Sequence, residues 1–375
     1  NSNDRIVNVL KKYIYPISFP LIIFLAWRLI IILFQIFIQP YSKIGSNSLT
    51  IYQRLFESWT YYWDTGHYLY IVQNGYSFPR QNFFPLWSFL IKLFSIFTGG
   101  ILSTEWVAYI LTFILGLTTF IFFYLLAARL MDKKNAGLAL IIFASFPSAM
   151  FLHAGYTENL FLSLTLLSFW LLEKKQFLLS SLIGGLSSAT RSVGISIGLV
   201  FLVMKAPIKK KIIYFLLGLS GLLGYMIYLG LQFGDPLLFL KAHQEWCGSI
   251  GQCKMTFPFV PLIPQAQLFL AGWLRPNLSS PFLDWISSII FILLLWPIFK
   301  KLNKTYFIYS AVVILMPLST GMVVSMIRYV LVAFPAFFVI PQIIKNKWVL
   351  FLLALFFFLL QLRFVALFTN RIWVA

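Results

Sequence analysis

The chain of 375 residues is 60% hydrophobic and 19% aromatic but only 10% charged, with a mean hydropathy of +0.87. A soluble domain carries about 25% charged residues because its surface faces water, so a soluble globular particle is excluded, and two cysteines with dispersed glycine and proline exclude a disulfide scaffold or collagen. Lys and Arg total 29 against 10 Asp and Glu, a net charge of +19, but they fall in short clusters between apolar runs, as in cytoplasmic loops under the positive-inside rule, and offer no continuous basic face to a nucleic acid.

A transmembrane helix needs about 17–25 apolar residues. Runs of that kind lie near 15–38, 104–128, 136–152, 157–172, 211–232, 281–299, 304–320, 322–342 and 347–368. The first is too long for the apolar core of a signal peptide. The stretch 84–97 is short and contains Lys92; a crossing there would carry Arg129, Lys133 and Lys134 outside, so it reads as an interfacial helix on the outer face. The stretch 177–204 reads as two short helices broken at Thr190-Arg191-Ser192-Val193-Gly194, an in-and-out pair whose tip presents Arg191 to an outer cavity. The predicted fold is an all-α integral membrane bundle of about eleven transmembrane helices, N-terminus inside and C-terminus outside. It forms a single domain over 1–375 with two long outer connections, 39–103 and 233–280, the first carrying interfacial helices.

The ten acidic residues can be considered singly. Asp4, Asp132 and Glu173 fall in cytoplasmic tails and turns and read as solvated. Glu57, Asp64, Glu105, Glu158, Asp235, Glu245 and Asp284 fall on the outer side. The richest segment runs from Trp59 to Tyr70 (WTYYWDTGHYLY). On a helix Asp64, His67 and Tyr68 share one face, and a carboxylate partly desolvated by aromatic rings makes a better base; an aromatic belt with Asp64 as a helix cap is the plainer reading. Glu158 and Arg191 lie near the outer ends of apolar helices, where an unpaired charge is costly, so Glu158 either pairs with Arg191 or contacts substrate. Arg328, in Ser325-Met326-Ile327-Arg328-Tyr329, is placed to clamp a phosphate or to snorkel to the interface. Arg28 sits within the first span, as an anion ligand or as helix-packing glue. Asp64, His67, His153 and Glu158 have no ligand spacing that announces a metal, so a metal-free site with no cofactor is expected, a divalent ion staying open. Cys247 and Cys253 are close enough in the second outer connection to form a small disulfide.

Taken in series, these motifs resemble a known family. Trp63-Asp64-Thr65-Gly66-His67-Tyr68, Asn74-Gly75-Tyr76 and Phe83-Phe84-Pro85-Leu86 are similar to the first outer loop of PIG-V-like mannosyltransferases, which comprise the second mannosyltransferase of GPI-anchor assembly and its prokaryotic relatives. The similarity continues through Phe146-Pro147-Ser148-Ala149-Met150-Phe151, Tyr156-Thr157-Glu158, Thr190-Arg191-Ser192-Val193-Gly194, Gly234-Asp235-Pro236-Leu237-Leu238-Phe239, and Arg328-Tyr329 followed by Phe334-Pro335. Gly66-His67-Tyr68 stands where relatives often carry other small and aromatic residues. The resemblance implies a GT-C bundle that moves mannose from polyprenyl- or dolichyl-phosphate mannose to a hydroxyl of a lipid-linked or glycan acceptor on the non-cytoplasmic side. It implies Asp64 as the catalytic carboxylate, with His67, Tyr68, Glu158, Arg191, Arg328 and Tyr329 around the substrates. One displacement would invert the anomeric centre, with cations steadying the departing phosphate. The membrane would be the plasma membrane in a prokaryote and the endoplasmic reticulum in a eukaryote. A lipid or small-molecule transporter is the alternative, although its usual paired halves are not evident here; a non-catalytic subunit is a third.

Overall fold

The computed structural model describes residues 15–39, 49–248, 254–271 and 280–374. Every regular element among them is a helix. The chain begins with α1 (Tyr15–Leu33), which continues in a wider turn to Ile38. The first long connection, the one expected on the outer side, holds a turn at Ser58–Thr60 and two helices, α2 (Asp64–Asn74) and α3 (Pro85–Phe97). Then come α4 (Thr104–Leu130), α5 (Lys133–Ser145) and a tight turn at Pro147–Leu152. These are followed by α6 (Glu158–Glu173), α7 (Phe177–Ser188), α8 (Ile195–Val203), α9 (Ile208–Gly218) and α10 (Ser220–Phe233). The second long connection, also expected on the outer side, holds α11 (Leu238–Gly248) and α12 (Leu262–Leu270). The chain closes with α13 (Ser280–Lys301), α14 (Lys304–Leu318), the single turn α15 (Met326–Tyr329), α16 (Phe334–Ile343) and α17 (Lys347–Thr369).

Helix boundaries follow local chemistry. Asp132, Asn303 and Asn346 cap α5, α14 and α17, each side-chain oxygen accepting from a backbone N–H two or three residues on. Pro147 ends α5, since it has no N–H to give and disfavours helix before it. Among the described residues, four helices are long and apolar enough to cross a membrane: Pro16–Ile38, Thr104–Leu130, Pro281–Lys301 and Lys347–Thr369. Two further passages are bent, α9 with α10 by 54° and Met326–Val332 with α16 by 83°. Large apolar side chains cover their outer surfaces, including Ile22, Leu29, Leu293, Trp296, Phe351 and Leu352. The chain is thus a multi-pass membrane protein.

The expected spans meet different fates. Those near 15–38, 104–128, 281–299 and 347–368 are single helices. The run 136–152 is not: Pro147 turns its last third into a tight coil. The run 322–342 is interrupted twice: Ser325 takes a left-handed conformation (φ 58°) ahead of α15, and the helix axis turns through 83° at Ala333, between Met326–Val332 and α16, neither of which a hydropathy average registers. The break in 177–204 falls where it was expected, at 189–191 between α7 and a turn at Ser192–Gly194. The stretch 84–97 is a 13-residue helix; Trp87 and Ile91 are buried among Tyr68, Leu69, Val107 and Leu160, while Phe89, Ile96 and Phe97 remain exposed.

The bundle has two unlike ends. At one, Arg129 of α4 donates to the Glu173 carbonyl (3.1 Å), and Tyr306 of α14 donates to Glu173 Oε1 (3.0 Å). Glu173 therefore ties three helix ends together and is not simply solvated. Lys174-Lys175, Lys300-Lys301 and Lys304 adjoin this basic end. At the other end, Gln39 Nε2 donates to Thr369 Oγ1 (2.7 Å), joining α1 to α17. Between them the core is crossed by few polar ties. Gln361 is one, accepting from Trp27 Nε1 (2.9 Å) and donating to the Phe146 carbonyl (2.7 Å).

Small residues let α6, α7 and α10 approach closely. Ser168 and Ser180 exchange hydrogen bonds with each other's carbonyls at 2.8 and 2.7 Å. A carbon added at Gly221 would strike the Gly185 carbonyl, whereas one added at Gly224 meets open space. Gly221→Val should therefore cost about 1–3 kcal/mol by overpacking and Gly224→Val little, measured as melting curves of the detergent-solubilised protein.

Candidate active site

The end of the bundle opposite the basic loops collects charges from four separated stretches. Trp63 makes the first of them possible. Its backbone adopts φ 57° and ψ −135°, a strained choice for a bulky residue, and turns the chain so that Asp64 opens α2. Gly66 lies against this turn: a side chain there would come within 2.6 Å of the Tyr61 carbonyl. Thr65 packs on Gly155, where an added carbon would stand 2.8 Å from Thr65 Cγ2. The motif's small residues thus clamp the first long connection onto the 153–157 segment, and Trp87 reinforces the contact by donating to the Gly155 carbonyl (2.8 Å).

Glu158 opens α6 with no exposed surface. Its Oε1 accepts from Arg328 Nε at 2.6 Å and from Arg191 Nη1 at 2.5 Å. Arg328 reaches the other way through Nη2 to Asp64 Oδ2, at 2.6 Å. The result is a chain of alternating charge, Asp64–Arg328–Glu158–Arg191. Asp64 is its most open member, with 24% of its side chain exposed against 8% for Arg328. The Arg328 guanidinium also lies over the rings of Tyr156 (4.4 Å) and Phe151 (5.0 Å), and Arg191 over Tyr329 (5.7 Å). Of the two roles open to Glu158, the pairing with Arg191 is present. Arg328 is an ion-pair centre and does not snorkel.

The other candidates are distributed less simply. Tyr68 is buried and points to Thr157 Oγ1 at 3.5 Å, beside Glu158; burial holds its hydroxyl pKa above the ordinary value. His67 is held between aromatic rings. It stacks on Phe83 (4.9 Å) and meets Trp246 of α11 edge-on (4.8 Å), so the second long connection covers the first. His153 packs on Trp59 (4.6 Å) and Trp27. Asp64, His67, His153 and Glu158 therefore do not converge, and among the described residues no three His, Cys, Asp or Glu side chains are grouped to hold a metal. Arg28 is buried in α1 among Phe24, Tyr109 and Phe113, as packing within the bundle. Cys253 lies outside the described residues, so the expected pairing with Cys247 is not described.

Sequence reasoning passed over Asp284. It lies in the N-terminal part of α13, 3% exposed, and accepts from the backbone N–H groups of Ser325 (Oδ2) and Ile327 (Oδ1), both at 2.8 Å. An acidic residue at the start of an apolar run was the only local signal.

Two outcomes follow from this geometry. Glu158→Gln leaves two largely buried guanidinium groups facing a neutral amide, and removal of one partner from a buried pair costs about 3–5 kcal/mol; Asp64→Asn, at the exposed end of the chain, should destabilise less, as melting in detergent will show. For His67, burial lowers the pKa more strongly than Asp64 raises it. The folded ring then binds fewer protons than the unfolded one, so stability falls as pH drops through the ordinary histidine range near about 6.5. His67→Phe should keep the stack and lessen that loss in melts between about pH 5 and 8.

The chain matches the mannosyltransferase (PIG-V) family model over residues 29–213. It is 27% identical over 248 residues to GPI mannosyltransferase 2 of Schizosaccharomyces pombe, an alignment covering 63% of this chain and 52% of the relative. The chain therefore spans about half the length of that protein. Among solved structures it aligns with the Archaeoglobus fulgidus oligosaccharyltransferase tethered to an acceptor peptide (TM-score 0.46, 13% identity, 97% of this chain and 55% of the other). It also aligns with the same archaeon's oligosaccharyltransferase AglB in complex with an inhibitory peptide and a dolichol-phosphate (TM-score 0.42, 12% identity, 96% and 56%). The family match over residues 29–213 and the yeast relative agree with the motif series: the chain is similar to the PIG-V mannosyltransferases.

Proposed function

We propose that the protein is a membrane glycosyltransferase that moves mannose from a polyprenyl- or dolichyl-phosphate carrier to a hydroxyl of a lipid-linked or glycan acceptor, with inversion at the anomeric carbon. The observation that carries this reading is the bridging of Asp64 and Glu158 by Arg328, with Arg191 alongside, in a chain similar to mannosyltransferases. The reaction asks for a carboxylate to take the acceptor proton and for cations to steady the departing phosphate. Both kinds of group stand here within one hydrogen-bonded chain.

Asp64 is the base in this reading, and Arg328 and Arg191 are the phosphate ligands. A donor phosphate reaching Arg328 competes with Asp64 for the same guanidinium. It does not displace Glu158, which is fully buried and shared with Arg191. Donor arrival thus loosens Asp64 from its cation and turns the carboxylate towards the acceptor. Tyr68 and Tyr329 line the approach, and His67 shapes the wall through its stack on Phe83.

The reading entails about eleven passages with the basic end in the cytoplasm and the charged site outside. It is supported by the way helices alternate between the two ends: α4, α6 and α13 run towards the basic end, and α5, α7, α14 and α17 run back. The outer connections 39–103 and 233–280 then cover the site, in the plasma membrane of a prokaryote or the endoplasmic reticulum of a eukaryote. Asp64→Asn should lower mannosyl transfer from polyprenyl-phosphate mannose about 10²–10⁴-fold in purified, well-folded protein. Undiminished transfer would overturn the base, and absence of transfer by the unaltered protein across lipid acceptors would overturn the class.

A further inference from the structure

The geometry points to Asp284 as a positioning residue for Arg328, acting through the backbone of the turn that carries it; this rests on the transferase reading above. Asp284 has no cationic partner among the described residues, yet it is 3% exposed. A buried carboxylate without a cation is costly unless its oxygens are hydrogen-bonded. Here each oxygen accepts one main-chain N–H, from Ser325 and Ile327, at 2.8 Å. These are the donors flanking Met326, in the turn from which Arg328 departs.

That turn is not one the chain adopts unaided. Ser325 is left-handed (φ 58°, ψ 18°), a conformation that crowds the Cβ of a non-glycine residue against the backbone and is disfavoured for it. The Ser325 carbonyl then accepts from both Arg328 and Tyr329 N–H groups at 3.0 Å, so the conformation of Ser325 sets where Arg328 begins. On the opposite side, Ser148 Oγ donates to the Ile327 carbonyl at 2.7 Å. The turn is gripped from α13 by a carboxylate and from the Pro147–Leu152 coil by a hydroxyl. Arg328 must meet Asp64 and Glu158 at once, both at 2.6 Å. An ångström of drift in its main chain would release one of them.

Asp284 touches neither acid nor arginine in the charge chain, so its effect must pass through Arg328. A double-mutant cycle tests this. Asp284→Asn should lower the kcat of mannosyl transfer 10–100-fold in the unaltered background. In the Arg328→Lys background, where the two-sided grip is already lost, it should add less than 3-fold. Asp284→Asn/Ser325→Gly should recover part of the kcat, because glycine takes the left-handed conformation without help. Should Asp284→Asn not yield monodisperse protein in detergent, Ser148→Ala loosens the same turn and enters the cycle in its place. Effects that multiply in the Arg328→Lys background, with no recovery by Ser325→Gly, would show a general structural role and overturn the assignment. An unaltered protein that transfers mannose while the cycle multiplies overturns this inference alone; one that transfers none overturns the parent reading and this role with it.

Discussion

Glu158 has no exposed surface, and a carboxylate taken out of water persists as an anion only if cations are held against it. Two arginines do this, on one oxygen, from parts of the chain 33 and 170 residues away. Neither guanidinium can move far without stranding the carboxylate. The architecture at this end of the bundle follows from that constraint: α6 must begin here, the α7–α8 pair must break to bring in Arg191, and the chain after α14 must fold back sharply to bring in Arg328.

The remaining features serve the same closure. The first long connection reaches the charges only because Trp63 accepts a strained backbone and Gly66 leaves room beneath the Tyr61 carbonyl. The second long connection holds the first in place through Trp246, which contacts His67 and Phe83 and donates to the Pro79 carbonyl (2.9 Å). Behind the site, serine and glycine let α6, α7 and α10 pack at short range, a familiar device where lipid provides no hydrophobic drive between helices. The rigid seam and the charged cluster therefore share α6.

Much of the fold was legible because bilayer thickness imposes a length on apolar runs, and α1, α4, α13 and α17 obey it. Several passages that fail the length test carry or adjoin the charged residues. The 322–342 run is as apolar as a span, but Ser325 is left-handed and the axis turns sharply at Ala333, and hydropathy does not see backbone dihedral angles. The site was half legible. Asp64, Glu158, Arg191 and Arg328 are visible as scarce charges in an apolar chain, each standing within a motif. The Glu158–Arg191 pair was one of the readings the sequence offered, but the place of Arg328 between Asp64 and Glu158 was not, since nothing local in the sequence tells Arg328 that its partners lie at positions 64 and 158. His67 shares a short motif with Asp64, yet its ring follows Phe83 and Trp246, whose positions only tertiary packing reveals. Asp284 was illegible as anything but an acid at a helix start, because its partners are main-chain groups that carry no sequence mark.

The charge chain has a consequence for turnover. Two arginines and two carboxylates sum to zero, so the cluster exerts no lasting pull on anions at large. On the proposed reaction a phosphodiester with one negative charge enters by replacing Asp64 at Arg328. The lipid monophosphate left behind carries more charge, about −1.5 to −2 near neutral pH, and the total charge at the site is unchanged while Asp64 holds the proton taken from the acceptor. Once that proton leaves, the carboxylate reclaims Arg328 and the spent carrier becomes the surplus anion. Deprotonation of the base and ejection of the carrier are then one event, and the enzyme resets by restoring its own neutrality.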